Sequence, residues 1–97
     1  MRVIAKKALK DFWFKYPDCE QQLKSWHQEA VKESWKTPNY IKSNFPTSSI
    51  IADNRIVFNI KGNKYRLVVK INYDFGIIWI RFIGTHAQYD KINAKTI

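Results

Sequence analysis

The sequence predicts an α+β fold, with N-terminal helices packed on one face of a small antiparallel β-sheet. Three observations carry this. Apolar residues recur every three to four positions from Ala5 to Val31, then alternate with polar ones from Arg55 onward. Two turn signals, Gly62-Asn63 and Tyr73-Asp-Phe-Gly76, divide the alternating half into three strands. No linker, repeat or low-complexity stretch interrupts the 97 residues, so residues 1–97 read as one domain with one core.

In chain order, Arg2 to Ala5 reads as a short strand. Ala5, Ala8, Leu9, Phe12, Trp13 and Tyr16 form the apolar stripe of a first helix, which Pro17 stops. Asp18 then suits an N-cap, with Gln21 as capping-box partner. Cys19, Leu23, Trp26, Ala30 and Val31 make the buried stripe of a second helix running to about Glu33. Thr37-Pro38 has the N-cap and first-position chemistry of a short third helix to about Ser43. Asn44 to Asn54 is a connection, with Ser49-Ile50-Ile51 a short strand inside it.

The meander follows. A two-residue turn at Gly62-Asn63 sets Lys61 opposite Lys64, Asn59 opposite Arg66 and Val57 opposite Val68. If Asn72 pairs with Ile77, then Trp79, Arg81, Ile83 and Thr85 share the polar face, with Arg81 diagonal to Arg66 and Lys70. Ile78, Ile80 and Phe82 then turn to the core. A one-residue slip would bury Arg81, which argues against it. Ala87 to Ile92 has the composition of a helical turn, and Asn93 to Ile97 is a tail.

Charge shows where function lies. Seventeen Lys and Arg against eight Asp and Glu give a net charge of +9. The acids sit mainly in the helical half, whereas from Arg55 to His86 six Lys and Arg face only Asp74. A solvated strand face normally mixes signs, so this one fits an anionic partner. Arg55, Lys61, Lys64 and Lys70 are candidate RNA-binding residues, and Trp79 could stack a base. The bland alternatives are a solubilising face or a dock for an acidic protein.

Other chemistries find little support. There is no phosphate-binding Gly loop, no nucleophile elbow and no HExxH. A single cysteine, Cys19, and two histidines, His27 and His86, cannot build a structural zinc site, and the carboxylates do not cluster for two metals. No metal or other cofactor is expected. No apolar run is long enough to span a membrane, and the N-terminus lacks a signal-peptide core, which points to the cytoplasm.

RNA can be cut without metal, because its own 2′-OH attacks the adjacent phosphorus. The enzyme must supply a base, an acid and cationic donors. Arg66 and Arg81 suit the donor role, since guanidinium grips phosphate through two parallel N–H groups. Lys61 and Lys64 could hold the backbone, or act as a base if a crowded positive field lowers a pKa. Histidine as a residue type is the natural acid or base near neutrality, so His86 is a candidate, with Tyr89 and Asp90 three and four residues on and so on one side of a helical turn. His86 could equally cap the strand end with Asp90 as its partner.

At these residues the chain resembles the HigB toxins of bacterial type II toxin–antitoxin modules, in the RelE-like superfamily. The likeness runs through Met1-Arg-Val-Ile-Ala, Phe12-Trp13, Pro17-Asp18, Trp35-Lys36-Thr37-Pro38 and Ile41-Lys42. It continues through Asn54 to Val69 and closes on Ile80-Arg-Phe-Ile-Gly-Thr-His-Ala-Gln-Tyr-Asp-Lys-Ile. Gln88 departs from it, standing where close relatives are expected to carry an acid. The resemblance implies a RelE-like fold and a ribosome-dependent mRNA endonuclease that works without metal. It also implies a HigA-like helix-turn-helix antitoxin through which alone operator DNA is contacted. Carried onto this chain, the catalytic residues would be Arg66, Arg81, His86 and Tyr89, helped by Lys61 and Lys64. A non-enzymatic ribosome-binding module that blocks translation by occupancy would present the same basic face.

Overall fold

A computed structural model describes all 97 residues. Its elements in order are β1 (Arg2–Ile4), α1 (Lys6–Lys15), α2 (Glu20–Lys32), α3 (Pro38–Asn44), β2 (Ser49–Ile51), β3 (Arg55–Ile60), β4 (Tyr65–Asn72), β5 (Ile77–Thr85) and α4 (His86–Tyr89). The five strands form one sheet in the order β1-β5-β4-β3-β2. The α+β class expected from sequence holds, but the sheet is mixed. β2 to β5 are antiparallel, whereas β1 lies parallel to β5, Val3 beside Ile78. A parallel pair needs a long crossover, and all the chain from Ala5 to Gly76 supplies it.

Local chemistry explains most boundaries. Pro17 ends α1, and a single 3₁₀ turn, Pro17–Cys19, leads into α2. Asp18 does not cap α2, because its carboxylate is turned to the β3–β4 hairpin instead. Thr37 caps α3 through its side-chain oxygen, which accepts from the Tyr40 N–H at 3.2 Å, with Pro38 in the first turn. In the β3–β4 turn the Lys64 N–H donates to the Lys61 carbonyl oxygen at 3.2 Å, and Gly62 takes φ +67°. Glycine at the first central position of such a tight hairpin takes this left-handed backbone without the strain a side chain would bring.

The expected β3–β4 register is the observed one, with Val57 opposite Val68 and Asn59 opposite Arg66. Between β4 and β5 the expected register holds only from Asn72–Ile77 to Val69–Ile80. A bulge then intervenes, and Val68 pairs with Phe82, Leu67 with Ile83 and Arg66 with Gly84. Arg81 is the unpaired residue. The bulge reverses the facing of everything after it. Ile83 packs against the main core, and Phe82 turns to the opposite face, contrary to the sequence reading.

The main core lies between the helices and one sheet face, a cluster of seventeen buried residues. Phe58 is its hub, with ring contacts to Trp26 (5.4 Å), Trp35 (6.2 Å) and Phe45 (5.1 Å). Removing such a ring costs about 3–5 kcal/mol. Val31, expected in the stripe of α2, is instead half exposed. The second sheet face is not bare either. Ala94 packs on Val57 and Val68, with Ile97, Tyr89, Phe82 and Ile51 around them, so the C-terminal segment folds back over that face.

Candidate active site

The site is built where β4 and β5 leave the hairpin end of the second face. Gly84, opposite Arg66, has no side chain, and a Cβ there would meet Phe82 Cζ at 2.5 Å and Gln88 Oε1 at 2.7 Å. The chain turns immediately afterwards. Thr85 accepts from the Gln88 N–H at 3.1 Å while Gln88 Oε1 accepts from the Thr85 N–H at 2.9 Å, a complete capping box. The His86 N–H donates to the Lys64 carbonyl oxygen at 3.0 Å and ties α4 to the start of β4. Gln88, in place of the acid expected there, is what closes the box.

This turn brings three candidates together. His86 Nδ1 lies 3.3 Å from Asp90 Oδ2, leaving Nε2 free, and the imidazole is accessible. The Arg66 guanidinium sits over the Tyr89 ring, 5.1 Å from its centroid, and Arg66 Nη2 donates to Asn63 Oδ1 at 2.6 Å. Arg66 Nε is buried without a partner. Tyr89 rests in turn against Phe82, ring centroids 6.4 Å apart. A guanidinium fixed on an aromatic face keeps its remaining N–H groups in one plane, ready for phosphate.

The lysines divide. Lys61 is exposed and its side chain makes no bond within the chain, while its backbone N–H donates to Gln22 Oε1 on α2. Lys64 is committed to Asp18, Nζ to Oδ2 at 2.7 Å, and the buried Tyr65 donates its hydroxyl to Asp18 Oδ1 at 2.6 Å. The hydrogen bond to Asp18 raises the Lys64 ammonium above its ordinary pKa. The same bond, with that from Tyr65, holds the Asp18 carboxyl below the usual carboxylate value. Lys64 is therefore unsuited to act as a base at neutral pH, against the sequence expectation.

Two expected members lie elsewhere. Arg55 is buried, its Nε and Nη2 donating to the Ile97 main-chain oxygen at 2.9 and 2.6 Å, so it anchors the C-terminal segment and presents no charge to a ligand. The expected polar face did not allow for that segment. Arg81 Nε donates to the same oxygen at 3.3 Å. The bulge removes the diagonal relation to Arg66: Arg81 stands three residues, about 10 Å along the strand, from the Gly84–Arg66 pair. It belongs with Lys70 and Trp79 at the far end of the face. No three His, Cys, Asp or Glu side chains gather within metal-binding reach of one another.

The family model for the HigB toxin, described as a RelE-like toxic component of a toxin–antitoxin system, matches residues 19–92, which hold β2 to β5 and the turn of α4. The chain belongs to the HigB toxin family. The mRNA interferase toxin HigB of Escherichia coli strain K12 is 33% identical over 96 residues, spanning 97% of this chain and 92% of the relative. The mRNA interferase HigB of Shigella flexneri matches at the same identity and coverage. That of Escherichia coli O6:H1 is 26% identical over 94 residues, 95% of this chain and 91% of the relative.

Within this HigB-family chain, two residues escaped the sequence reading. Asp18 is the counter-ion that removes Lys64 from the free cations, and Asn63 is the residue that steadies Arg66. Asn63 stands three residues before Arg66 across the tight turn, a spacing that could have suggested the contact. Nothing local pointed from Asp18 to a lysine 46 residues on.

Proposed function

We propose that this HigB-family toxin is an endoribonuclease that cuts mRNA on the ribosome by attack of the RNA's own 2′-OH, without metal. Arg66 over Tyr89, on the same helical turn as the His86–Asp90 pair, is the observation that supports it most directly. In this reading His86 moves the proton. As base, it takes the 2′-OH hydrogen at Nε2 while Asp90 holds Nδ1–H and so fixes the ring. The freed oxygen attacks phosphorus, charge builds on the non-bridging oxygens, and Arg66 stabilises it through its free N–H groups. The P–O5′ bond breaks, leaving a 2′,3′-cyclic phosphate, and the Tyr89 hydroxyl lies on the same turn to protonate O5′. Lys61 holds the neighbouring backbone.

The wider reading is that of a toxin neutralised by a HigA-like helix-turn-helix antitoxin, with operator DNA contacted only through that partner. It acts in the cytoplasm, on ribosome-bound message. No helix is long and apolar enough to cross a membrane.

Mapping of mRNA 5′ ends after induction tests the reaction. New 5′-hydroxyl ends inside translated reading frames are the expected result, and intact messages in a growth-arrested culture would point to block by occupancy. Replacing His86 by Ala should slow cutting by about 10²–10⁴, and Arg66→Ala by about 10²–10³. Tyr89→Phe keeps the platform under Arg66 and loses the hydroxyl. If all three variants cut like wild type, the site is wrongly assigned.

A further inference from the structure

The far end of the same face holds a groove of about 550 Å³ that the proposed reaction does not use. Lys70 and Trp79 face one another across β4 and β5, and Arg81 stands beside them at the bulge. Because Ile78 is fully buried in the core, strand alternation turns Trp79 to this face. Neither Lys70 Nζ nor the Nη groups of Arg81 have a partner within the chain. At the rim, Asn54, Asn72 and Asp74 supply both donors and acceptors.

We propose that this groove is a nucleobase site, in which Trp79 stacks a base of single-stranded RNA while Lys70 and Arg81 hold the phosphates beside it. The chemistry is specific to such a ligand: an aromatic face flanked by two free cations, with amide and carboxylate groups to meet a base edge. An acidic peptide would use the cations and leave the ring and amides unexplained. Lys70 lies four residues along β4 from Arg66, about 13 Å. The stacked base is therefore not one flanking the cut but a neighbour further along the message, and the groove reads context rather than performing chemistry. The inference rests on the proposal that the second face contacts RNA.

Trp79 is also its own reporter. The other three tryptophans are buried, Trp13 at 7%, Trp26 at 3% and Trp35 at 1% exposure, whereas Trp79 is half-buried and reachable. The experiment titrates the full chain with a short single-stranded 2′-O-methyl RNA of mixed sequence, which cannot be cut. Tryptophan emission and the anisotropy of a labelled oligonucleotide are both followed. Wild type should show saturable quenching. Trp79→Phe should abolish the quenching yet keep most of the affinity, and Trp79→Ala should weaken binding about 5- to 150-fold. Absence of quenching at saturation, or wild-type affinity in Trp79→Ala, overturns the proposal. Should Trp79→Ala fail to fold, Lys70→Gln serves: its salt slope should fall by about 0.7, and an unchanged slope is equally decisive against the site. The two proposals separate cleanly. Quenching without any cutting of message by wild type sinks the nuclease and leaves this site standing; cutting without quenching sinks this site alone.

Discussion

At the scale of single residues, the pairing of Lys64 with Asp18 has the clearest consequence. The contact joins the 3₁₀ turn before α2 to the β3–β4 hairpin, and the Tyr65 hydroxyl makes it a three-residue network. Asp18 is held below its ordinary pKa by these hydrogen bonds, so its contribution to stability is present above the unfolded carboxyl value and is lost as pH falls through the lower folded one. Lys64 is raised, so its contribution is present below the unfolded ammonium value and is lost only as pH climbs past it. The tie should thus stay intact from roughly pH 5 to pH 9. Urea unfolding at a series of pH values should show an acid limb below about pH 4 that shrinks in Asp18→Asn. An identical acid limb in that variant would mean that Asp18 is not the group responsible. Sequence reading found Lys64 as a surface cation and Asp18 as a cap. It could not join them, because the bond depends on where the sheet sets the hairpin against the helices.

At the scale of elements, the decisive feature is the end of β5. Both hairpin turns and the β3–β4 register were legible, since turn chemistry and alternation agree there. The first half of β5 was legible for the same reason. The second half was not, because a bulge breaks the alternation that the reading relied on. The doublet Phe82-Ile83 was the available signal: two adjacent apolar residues that serve opposite faces. Past the bulge, Gly84 leaves room for Phe82 and for the Gln88 side chain that closes the capping box. Gly84→Ala forces both to move. It should cost about 1–3 kcal/mol by overpacking, which at this size is several degrees or more in Tm. It should also slow cutting beyond what the stability loss explains, because α4 carries His86 and Tyr89. Thermal melts alongside cleavage of ribosome-bound message would check both. Full activity with an unchanged melting curve would show that the capping box does not position the site.

At the scale of the whole molecule, the net charge of +9 acts in opposite senses on stability and on RNA contact. Screening relieves self-repulsion, so added salt should raise Tm while it weakens RNA binding. The strength of the second effect depends on how many cations are free, and this was the part of the site that sequence overstated. Of the six basic residues between Arg55 and His86, Arg55 is buried on the C-terminal segment and Lys64 is held by Asp18. Lys61, Arg66, Lys70 and Arg81 remain. If each neutralises one phosphate, the slope of log affinity against log salt is about −2.8 for single-stranded RNA, rather than about −4.2 for all six. Arg55→Gln should therefore leave the slope unchanged. It should instead cost about 1–3 kcal/mol, by removing two of the three hydrogen bonds that the Ile97 oxygen accepts, and speed hydrogen exchange at residues 93–97. Lys61→Gln should do the reverse, lowering the slope by about 0.7 with little change in stability. An equal fall in slope from the two substitutions would mean that Arg55 leaves its anchor on binding RNA and that the C-terminal segment lifts from the sheet.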